Sequence, residues 1–180
     1  MKDWSFKRWN TVLGWVVFAI AFLTYLSTIE PNFSFWDTGE YISSAVKLQV
    51  THAPGAALFQ LMGAVAGLFA FGKGENYSLV INGMSALFSA LTILFLFWTI
   101  THLVRRLFHK DFDEVTKRDE IGILLAGVIG ALCFTFSDTF WYSAVEGEVY
   151  SMASMFIALI VWLITKWEDE YHQLDNERWI

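Results

Sequence analysis

A polar stretch, FSFWDTGEYISSAVKLQVTHAPG, occupies residues 33–55 and carries Asp37 and Glu40 three positions apart. A carboxylate at the lip of a cavity can take a proton from a hydroxyl group or bind a cation, so both acids are candidate catalytic residues. The same spacing is typical of a capping box, in which Asp37 caps a helix and Glu40 bonds back to its first turn. Both interpretations stay open, because a cap uses only one of the two oxygens of Asp37.

His52 lies in the same stretch, just before Pro54 and Gly55. These two residues break the preceding helix and are expected to begin the next one. We therefore predict His52 near a helix N-terminus, where free N–H groups favour a phosphate. The alternative is a polar turn residue without a ligand.

A third candidate cluster lies in SDTFWYSAVEGEVYSM, residues 137–152, which contains Glu146 and Glu148 between two apolar segments. We predict that these acids contribute to a binding site for the substrate or for its phosphate, or that they complement a helix dipole. The chain has no G-x-x-x-x-G-K-[ST] and no G-x-G-x-x-G pattern, so no nucleotide cofactor is indicated. A divalent cation remains a candidate cofactor, the metal ligands are left open, and no nucleic-acid partner is predicted.

The elements that must position these residues are apolar helices. Of the 180 residues, 56% are hydrophobic, and the mean hydropathy is +0.46, which indicates a membrane protein. The first apolar run, residues 9–29, is longer than the core of a signal peptide and ends without an A-x-A site, so we interpret it as a retained anchor. Cys133 is the only cysteine, which excludes an internal disulfide.

Charge decides which apolar segments cross the membrane. If all five cross and the N-terminus is inside, 4 of the 12 Lys and Arg residues lie inside and 8 outside, against the positive-inside rule. If residues 54–71 instead lie on the outer surface, 10 lie inside and 2 outside. The prediction is an all-α polytopic membrane protein that forms a single membrane domain with a cytoplasmic N-terminus. Its four spans are expected at about 9–29, 79–104, 121–137 and 149–165, with outer-face juxtamembrane helices at about 38–50 and 54–71. Gly63 and Gly67 are expected to allow close helix packing.

Three motifs, FWDTGEYISSA, THAPGAALFQLMG and AVEGEVYSM, together with two juxtamembrane helices after the first span, resemble the N-terminal part of GT-C membrane glycosyltransferases. They are most similar to a bacterial, Bacteroidetes-type family related to protein O-mannosyltransferases. The resemblance runs from about Trp9 to Lys166. It implies a polyprenyl-phosphate sugar as donor, a hydroxyl acceptor on a protein or glycan, and an inner-membrane enzyme whose site faces the periplasm.

The resemblance also assigns residues. It implies that Asp37 matches the catalytic acid of the outer loop, with Glu40 one turn further on. His52 matches the histidine of an H-P-P turn near the lipid phosphate, although the turn here is His52-Ala53-Pro54. Such enzymes have many more spans, so the chain is expected to be the N-terminal portion of a longer protein. The alternative is a non-catalytic membrane scaffold or a subunit of a transport or secretion assembly.

Overall fold

The computed structural model describes residues 2–107 and 115–173, with side chains for residues 6–107 and 115–169. All regular structure in these ranges is helical, which confirms the predicted all-α class. The helices are α1 (Lys2–Ser27), α2 (Thr38–Lys47), α3 (Ala57–Gly67), α4 (Tyr77–Leu107), α5 (Lys117–Thr135), α6 (Asp138–Ala144) and α7 (Val149–Gln173). Short 3-10 turns at Leu68–Ala70 and Gly74–Asn76 lie between α3 and α4.

Three helices, α1, α4 and α7, are long and apolar enough to cross a membrane. A fourth span exists only if α5 and α6, which meet at an angle of 69°, count as one broken span. The helix α3 and its 3-10 turn cover 14 residues, Ala57–Ala70, or about 21 Å at 1.5 Å per residue. This length is too short to cross a hydrocarbon core of about 30 Å. It agrees with the sequence analysis, which did not count residues 54–71 as a span.

The centre of the bundle is α4, which packs against α1, α5 and α7. Its most apolar window is 61% buried, against 22% for the windows of α1 and α7, so the outer helices expose apolar side chains that suit a lipid environment. One buried cluster joins α4 to α1, α5 and α6 around Tyr25, Phe97 and Phe140. A second joins α4 to α2, α3 and α7 around Tyr41, Phe59 and Ile81.

The helices α2 and α3 form a closely packed pair. A Cβ atom on Gly63 would lie only 2.8 Å from the Cβ of Ala45, so the predicted packing role of this glycine is confirmed. Both helices are shorter than predicted. Leu48 adopts a left-handed conformation that ends α2, and Gly55 (φ +91°) and Ala56 (φ +41°) keep the following turn out of α3. The expectation that Pro54 and Gly55 begin the next helix was therefore wrong.

The two ends of α4 differ in chemistry. Its first turns lie next to the acidic segments, and we call this the site end. About 36 Å further along, at 1.5 Å per residue, Arg106 forms ion pairs with Glu168 at 2.6 Å and Asp169 at 2.9 Å. The predicted basic linker, residues 105–120, is therefore partly helical, since Arg106 belongs to α4 and Arg118 to α5; residues 108–114 lie outside the described ranges.

Two helical features were not predicted, namely the cap of α5 and the helix α6. The helix α5 begins with a capping box, in which the Thr116 side chain accepts from the backbone N–H of Asp119 and the Asp119 side chain accepts from Thr116 N. The helix α6 lies in the segment predicted as a plain loop between two spans. Its Trp141 ring nitrogen donates to Thr28 Oγ1 at 2.8 Å, which ties α6 to the end of α1.

Candidate active site

Asp37, Glu40 and His52 meet at the site end, on the surface of α2. Glu40 Oε1 accepts from the backbone N–H of His52 at 2.7 Å, and Glu40 Oε2 lies 3.0 Å from His52 Nδ1. The other ring nitrogen, Nε2, lies 3.8 Å from Asp37 Oδ2, which is beyond hydrogen-bonding distance. The structure thus brings together three residues that the sequence separates by 15 positions.

The capping-box interpretation of Asp37 and Glu40 was wrong. Asp37 occupies the N-cap position of α2, but its side chain makes no capping hydrogen bond. Its φ of −84° and ψ of −6° are helical values rather than the extended values typical of a capping residue. Glu40 bonds forward to His52, twelve residues later, instead of back to the first turn. The carboxylate of Asp37 is therefore left exposed, with 56% of its side-chain surface accessible.

The Glu40–His52 contact changes the proton affinity of both groups. The backbone N–H of His52, and then its ring, lower the pKa of Glu40 below its ordinary value. The hydrogen bond to Glu40 is the main cause that raises the pKa of His52, with smaller contributions from the charges of Glu40 and Asp37. An imidazolium ion between two carboxylates is therefore favoured, and Glu40 fixes the ring that faces Asp37.

Glu146 and Glu148 belong to a separate, less exposed network behind α2. The hydroxyl of Ser34 hydrogen-bonds to Glu146 Oε2, and it lies 3.2 Å from the hydroxyl of Thr38. Thr38 Oγ1 in turn donates to Glu148 Oε1 at 3.3 Å. Glu146 is only 5% exposed, and Thr38 is fully buried. Thr38 is the first residue of α2 and follows Asp37 directly. The network therefore holds the backbone next to the exposed carboxylate of Asp37.

Burial weakens the acidity of both glutamates. The pKa of Glu146 is raised mainly by loss of hydration, which the Ser34 hydrogen bond partly offsets. The pKa of Glu148 is raised mainly by burial and then by the charge of Glu146, with a smaller effect from Asp37. The electrostatic influence of Asp37 on Glu148 indicates that the exposed and buried clusters form one acidic region at the site end.

Asn82, on α4, organises the backbone around this region. Its side-chain amide donates to the carbonyl oxygens of Glu30 at 2.7 Å and Asn32 at 2.9 Å. The backbone N–H of Glu30 donates to the carbonyl of Val145 at 3.2 Å, so the segment after α1 is joined to the segment before α7. The segment that leads to Asp37 and the segment that carries Glu146 and Glu148 are thereby fixed to the central helix α4.

Sequence reasoning missed Ser34, Thr38 and Asn82. Asn82 did carry a signal, because an amide inside a long apolar run is costly in a membrane unless it has a partner. Ser34 and Thr38 carried none, since hydroxyl residues flanking an acid are common in turns. Their importance depends on two glutamates more than a hundred positions away.

The exposed cluster has a donor set that could hold a metal ion. One ligand atom from each of Asp37, Glu40 and His52 lies within 4.8 Å of the others. Two carboxylate oxygens and one imidazole nitrogen suit Mn²⁺ or Zn²⁺ better than Ca²⁺, which prefers oxygen ligands alone. Protonation of His52 would place a positive charge beside Glu40 and Asp37 without a metal ion.

Comparison with known proteins gives the family. Residues 37–180 match the family of the protein O-mannosyl-transferase TMEM260 N-terminal domain. The chain belongs to this family. It is 27% identical over 181 residues to protein O-mannosyl-transferase tmem260 of Dictyostelium discoideum, a match that covers 99% of this chain and 20% of the relative. It is 30% identical over 154 residues to protein O-mannosyl-transferase TMEM260 of Mus musculus, which covers 85% of this chain and 19% of the relative.

The family match begins at Asp37 and therefore includes every candidate site residue. The chain spans about a fifth of the length of these two TMEM260 relatives. No solved structure matches the chain.

Proposed function

We propose that this chain is the N-terminal, membrane-embedded part of a glycosyltransferase that moves a sugar from a polyprenyl-phosphate donor to a hydroxyl acceptor on a protein or glycan. The names of the TMEM260 relatives, protein O-mannosyl-transferases, support the reaction class. The observation that carries the proposal is the exposed, uncapped carboxylate of Asp37 beside His52. The remaining four fifths of such a protein would complete the donor and acceptor sites.

Asp37 is proposed as the general base. Its carboxylate takes the proton of the acceptor hydroxyl while the acceptor oxygen forms a bond to the anomeric carbon of the sugar. The bond from that carbon to the phosphate oxygen breaks, and its electron pair leaves with the polyprenyl phosphate. The exposure of Asp37 gives an acceptor hydroxyl access to its carboxylate.

His52 is proposed to stabilise the leaving phosphate. Glu40 holds the ring through Nδ1 and through the His52 backbone N–H. At 3.8 Å from Asp37, the Nε2–H group is not committed to a hydrogen bond and can donate to a phosphate oxygen. Glu40 would then act by fixing this ring and favouring its protonated form, which places a positive charge where negative charge develops.

The site end is proposed to face the outer side of the membrane, the periplasm in a bacterial cell. The orientation follows from the positive-inside rule, because the opposite end carries Arg105 and Arg106 and the N-terminal Lys7 and Arg8. Phe35 and Trp36, just before Asp37, are almost fully exposed, at 83% and 90%. Aromatic side chains in such positions suit the membrane–water interface, where a lipid-linked donor presents its phosphate.

The test is Asp37→Asn in the complete protein, assayed with a polyprenyl-phosphate sugar. We expect transfer to fall by about 10²–10⁴-fold, the usual contribution of a general base. The unfolding midpoint should change little, because no capping bond is lost and the exposed His52–Asp37 ion pair, 3.8 Å long, contributes little to stability. Asp138→Asn is the matched control, since Asp138 is also exposed at the start of a helix at the same end.

Two further arms separate the alternatives. A nucleotide sugar in place of the lipid-linked donor should give no transfer. Transfer should persist after chelation of divalent cations if Asp37 acts as a base; a loss that added Mn²⁺ or Zn²⁺ restores would make Asp37, Glu40 and His52 metal ligands instead. Full transfer by Asp37→Asn would end the base assignment and favour the scaffold alternative.

A further inference from the structure

The buried network contains fewer hydroxyl protons than it has contacts. Four groups form a chain of three contacts, from Glu146 to Ser34, from Ser34 to Thr38, and from Thr38 to Glu148. Each contact between oxygen atoms needs one proton to be a hydrogen bond, and each hydroxyl supplies one. If both glutamates were ionised, Ser34 and Thr38 would donate outward, and lone pairs would face each other at 3.2 Å between the two hydroxyls.

One carboxyl proton resolves this conflict. With Glu146 protonated, its O–H donates to Ser34, Ser34 donates to Thr38, and Thr38 donates to Glu148. With Glu148 protonated, all three bonds run in the opposite direction. Either arrangement satisfies every group, which matters because Thr38 is fully buried and Glu146 nearly so.

We propose that Glu146 and Glu148 share a single proton through Ser34 and Thr38, and that this half-protonated pair is a positioning device for Asp37. The proton keeps the pair at one negative charge rather than two. The hydrogen-bonded chain fixes Thr38, the residue next to Asp37, and so fixes the direction in which the exposed carboxylate points. Glu146 and Glu148 are therefore positioning residues and do not touch the substrate.

The surroundings favour a retained proton. Within the described residues, the charged groups that act on the pair are Glu30, from the segment after α1, which acts on Glu146, and Asp37, from the start of α2, which acts on Glu148. Tyr41 of α2 is in turn affected by the charge of Glu148. None of these three is a cation, and α4 contributes Asn82, which does not titrate. Burial and the like charges of Glu30 and Asp37 raise the pKa values of the pair. Two adjacent carboxyl groups in such a setting titrate as one coupled unit.

The proton is tested by infrared spectroscopy of the complete protein at neutral pH. A protonated carboxyl group gives a carbonyl stretch that is separate from the bands of ionised carboxylates and shifts in D₂O. We expect the wild type to show this band. In Glu146→Gln and in Glu148→Gln, the band should lose the intensity that one protonated carboxyl group contributes, and the loss should be equal in the two variants. In each variant the glutamine amide supplies the third donor, so the remaining glutamate ionises.

Three outcomes are decisive. Loss of the band in both glutamine variants supports one proton held by the pair as a unit, because a carboxyl proton whose retention did not depend on the other glutamate would survive substitution of that glutamate. Loss in only one variant, or no difference between the wild type and both variants, overturns the inference. The control is Glu75→Gln on the exposed turn before α4, which should leave the band unchanged.

The positioning role rests on the proposed function and has its own test. Thr38→Val removes the central hydroxyl and should lower kcat by up to about a hundredfold with little change in KM, since misplacement of a reacting group by about 1 Å can have that effect. Thr38→Ser keeps the hydroxyl and should restore most of the rate. Equal rates for both variants would overturn the positioning role.

The two proposals fail separately. If Asp37→Asn keeps full transfer while the band behaves as expected, the proposed function falls and the shared proton stands. If Asp37→Asn abolishes transfer while the wild type lacks the band, the shared proton falls and the general base stands.

Discussion

Gly147, between Glu146 and Glu148, is the position where a small change should disturb the site most clearly. A Cβ atom there would lie 2.9 Å from Asn82 Oδ1, 3.1 Å from Ile81 Cγ2 and 3.3 Å from Ile42 Cγ1. The glycine is needed for space rather than for backbone freedom, because the positive-φ glycines in the described ranges are Gly55 and Gly72. Gly147→Ala therefore tests packing, and the Gly→Ala effect on the unfolded chain is measured separately by the control below.

The size of the effect follows from these distances. To reach an ordinary contact of 3.4 Å, the gap to Asn82 must open by about 0.5 Å from its 2.9 Å. Asn82 cannot yield freely, because its amide holds the carbonyls of Glu30 and Asn32. Overpacking of this kind costs about 1–3 kcal/mol. At about 2–4 °C per kcal/mol for a unit of 150–250 residues, the midpoint of the unfolding transition of this membrane part should fall by roughly 2–12 °C.

The assay pairs thermal unfolding of the complete protein with sugar transfer. Gly147→Ala should lower both the midpoint and the transfer rate, since the displaced segment carries Glu146 and Glu148. Gly122→Ala is the matched control, because Gly122 lies in α5 where an added methyl group would meet no atom of the described residues within 4 Å. It should leave transfer unchanged and raise stability by about 0.4–1 kcal/mol through reduced freedom of the unfolded chain. Unchanged stability and transfer in Gly147→Ala would refute the close packing of this segment on α2 and α4.

Two further predictions concern polar contacts. The Glu40–His52 contact should stabilise the protein fully only between pH 4.5 and 6.5, because the pKa of Glu40 is lowered from 4.5 and that of His52 is raised from 6.5. The difference in unfolding midpoint between the wild type and Glu40→Gln should be largest in this window and shrink as Glu40 protonates below it or His52 deprotonates above it; a difference independent of pH would contradict the contact. Tyr25→Phe removes a buried hydrogen bond to the carbonyl of Thr135, 3.0 Å long, and should cost about 1–3 kcal/mol. The exposed Tyr142→Phe should cost almost nothing, and equal losses in the two variants would count against a role for the Tyr25 bond.

The long apolar helices were predictable because each one forms the hydrogen bonds of its backbone N–H and C=O groups within itself. Residues 79–104 and 149–165 were assigned as spans, and α4 and α7 contain them. The helix ends were less predictable, since charged residues such as Arg105 and Arg106 continue α4 beyond its apolar part. The α6 helix was missed because its seven residues give too short a pattern to separate it from a loop.

The candidate site was predictable in its members but not in its connections. Asp37, Glu40 and His52 were singled out individually, and the structure places them together. The predicted partner of Glu40 was the first turn of its own helix, whereas the observed partner is His52. The local pattern at Asp37 and Glu40 suggested a capping box. Glu40 instead makes a charge-assisted contact with His52, and this contact depends on how residues 48–52 fold.

The sequence by itself determined that this protein is a bundle of apolar helices, and it predicted that Asp37, Glu40, Glu146 and Glu148 lie at the same end of that bundle. Hydrophobic runs of span length must form helices to pair their own N–H and C=O groups, and the asymmetry of Lys and Arg favours one orientation. Only the tertiary structure decided that Asp37 is exposed while Glu146 is buried, and that Ser34 and Thr38 join the two glutamates. Burial and hydrogen bonding set the protonation of a carboxyl group, and here both depend on contacts between residues more than a hundred positions apart.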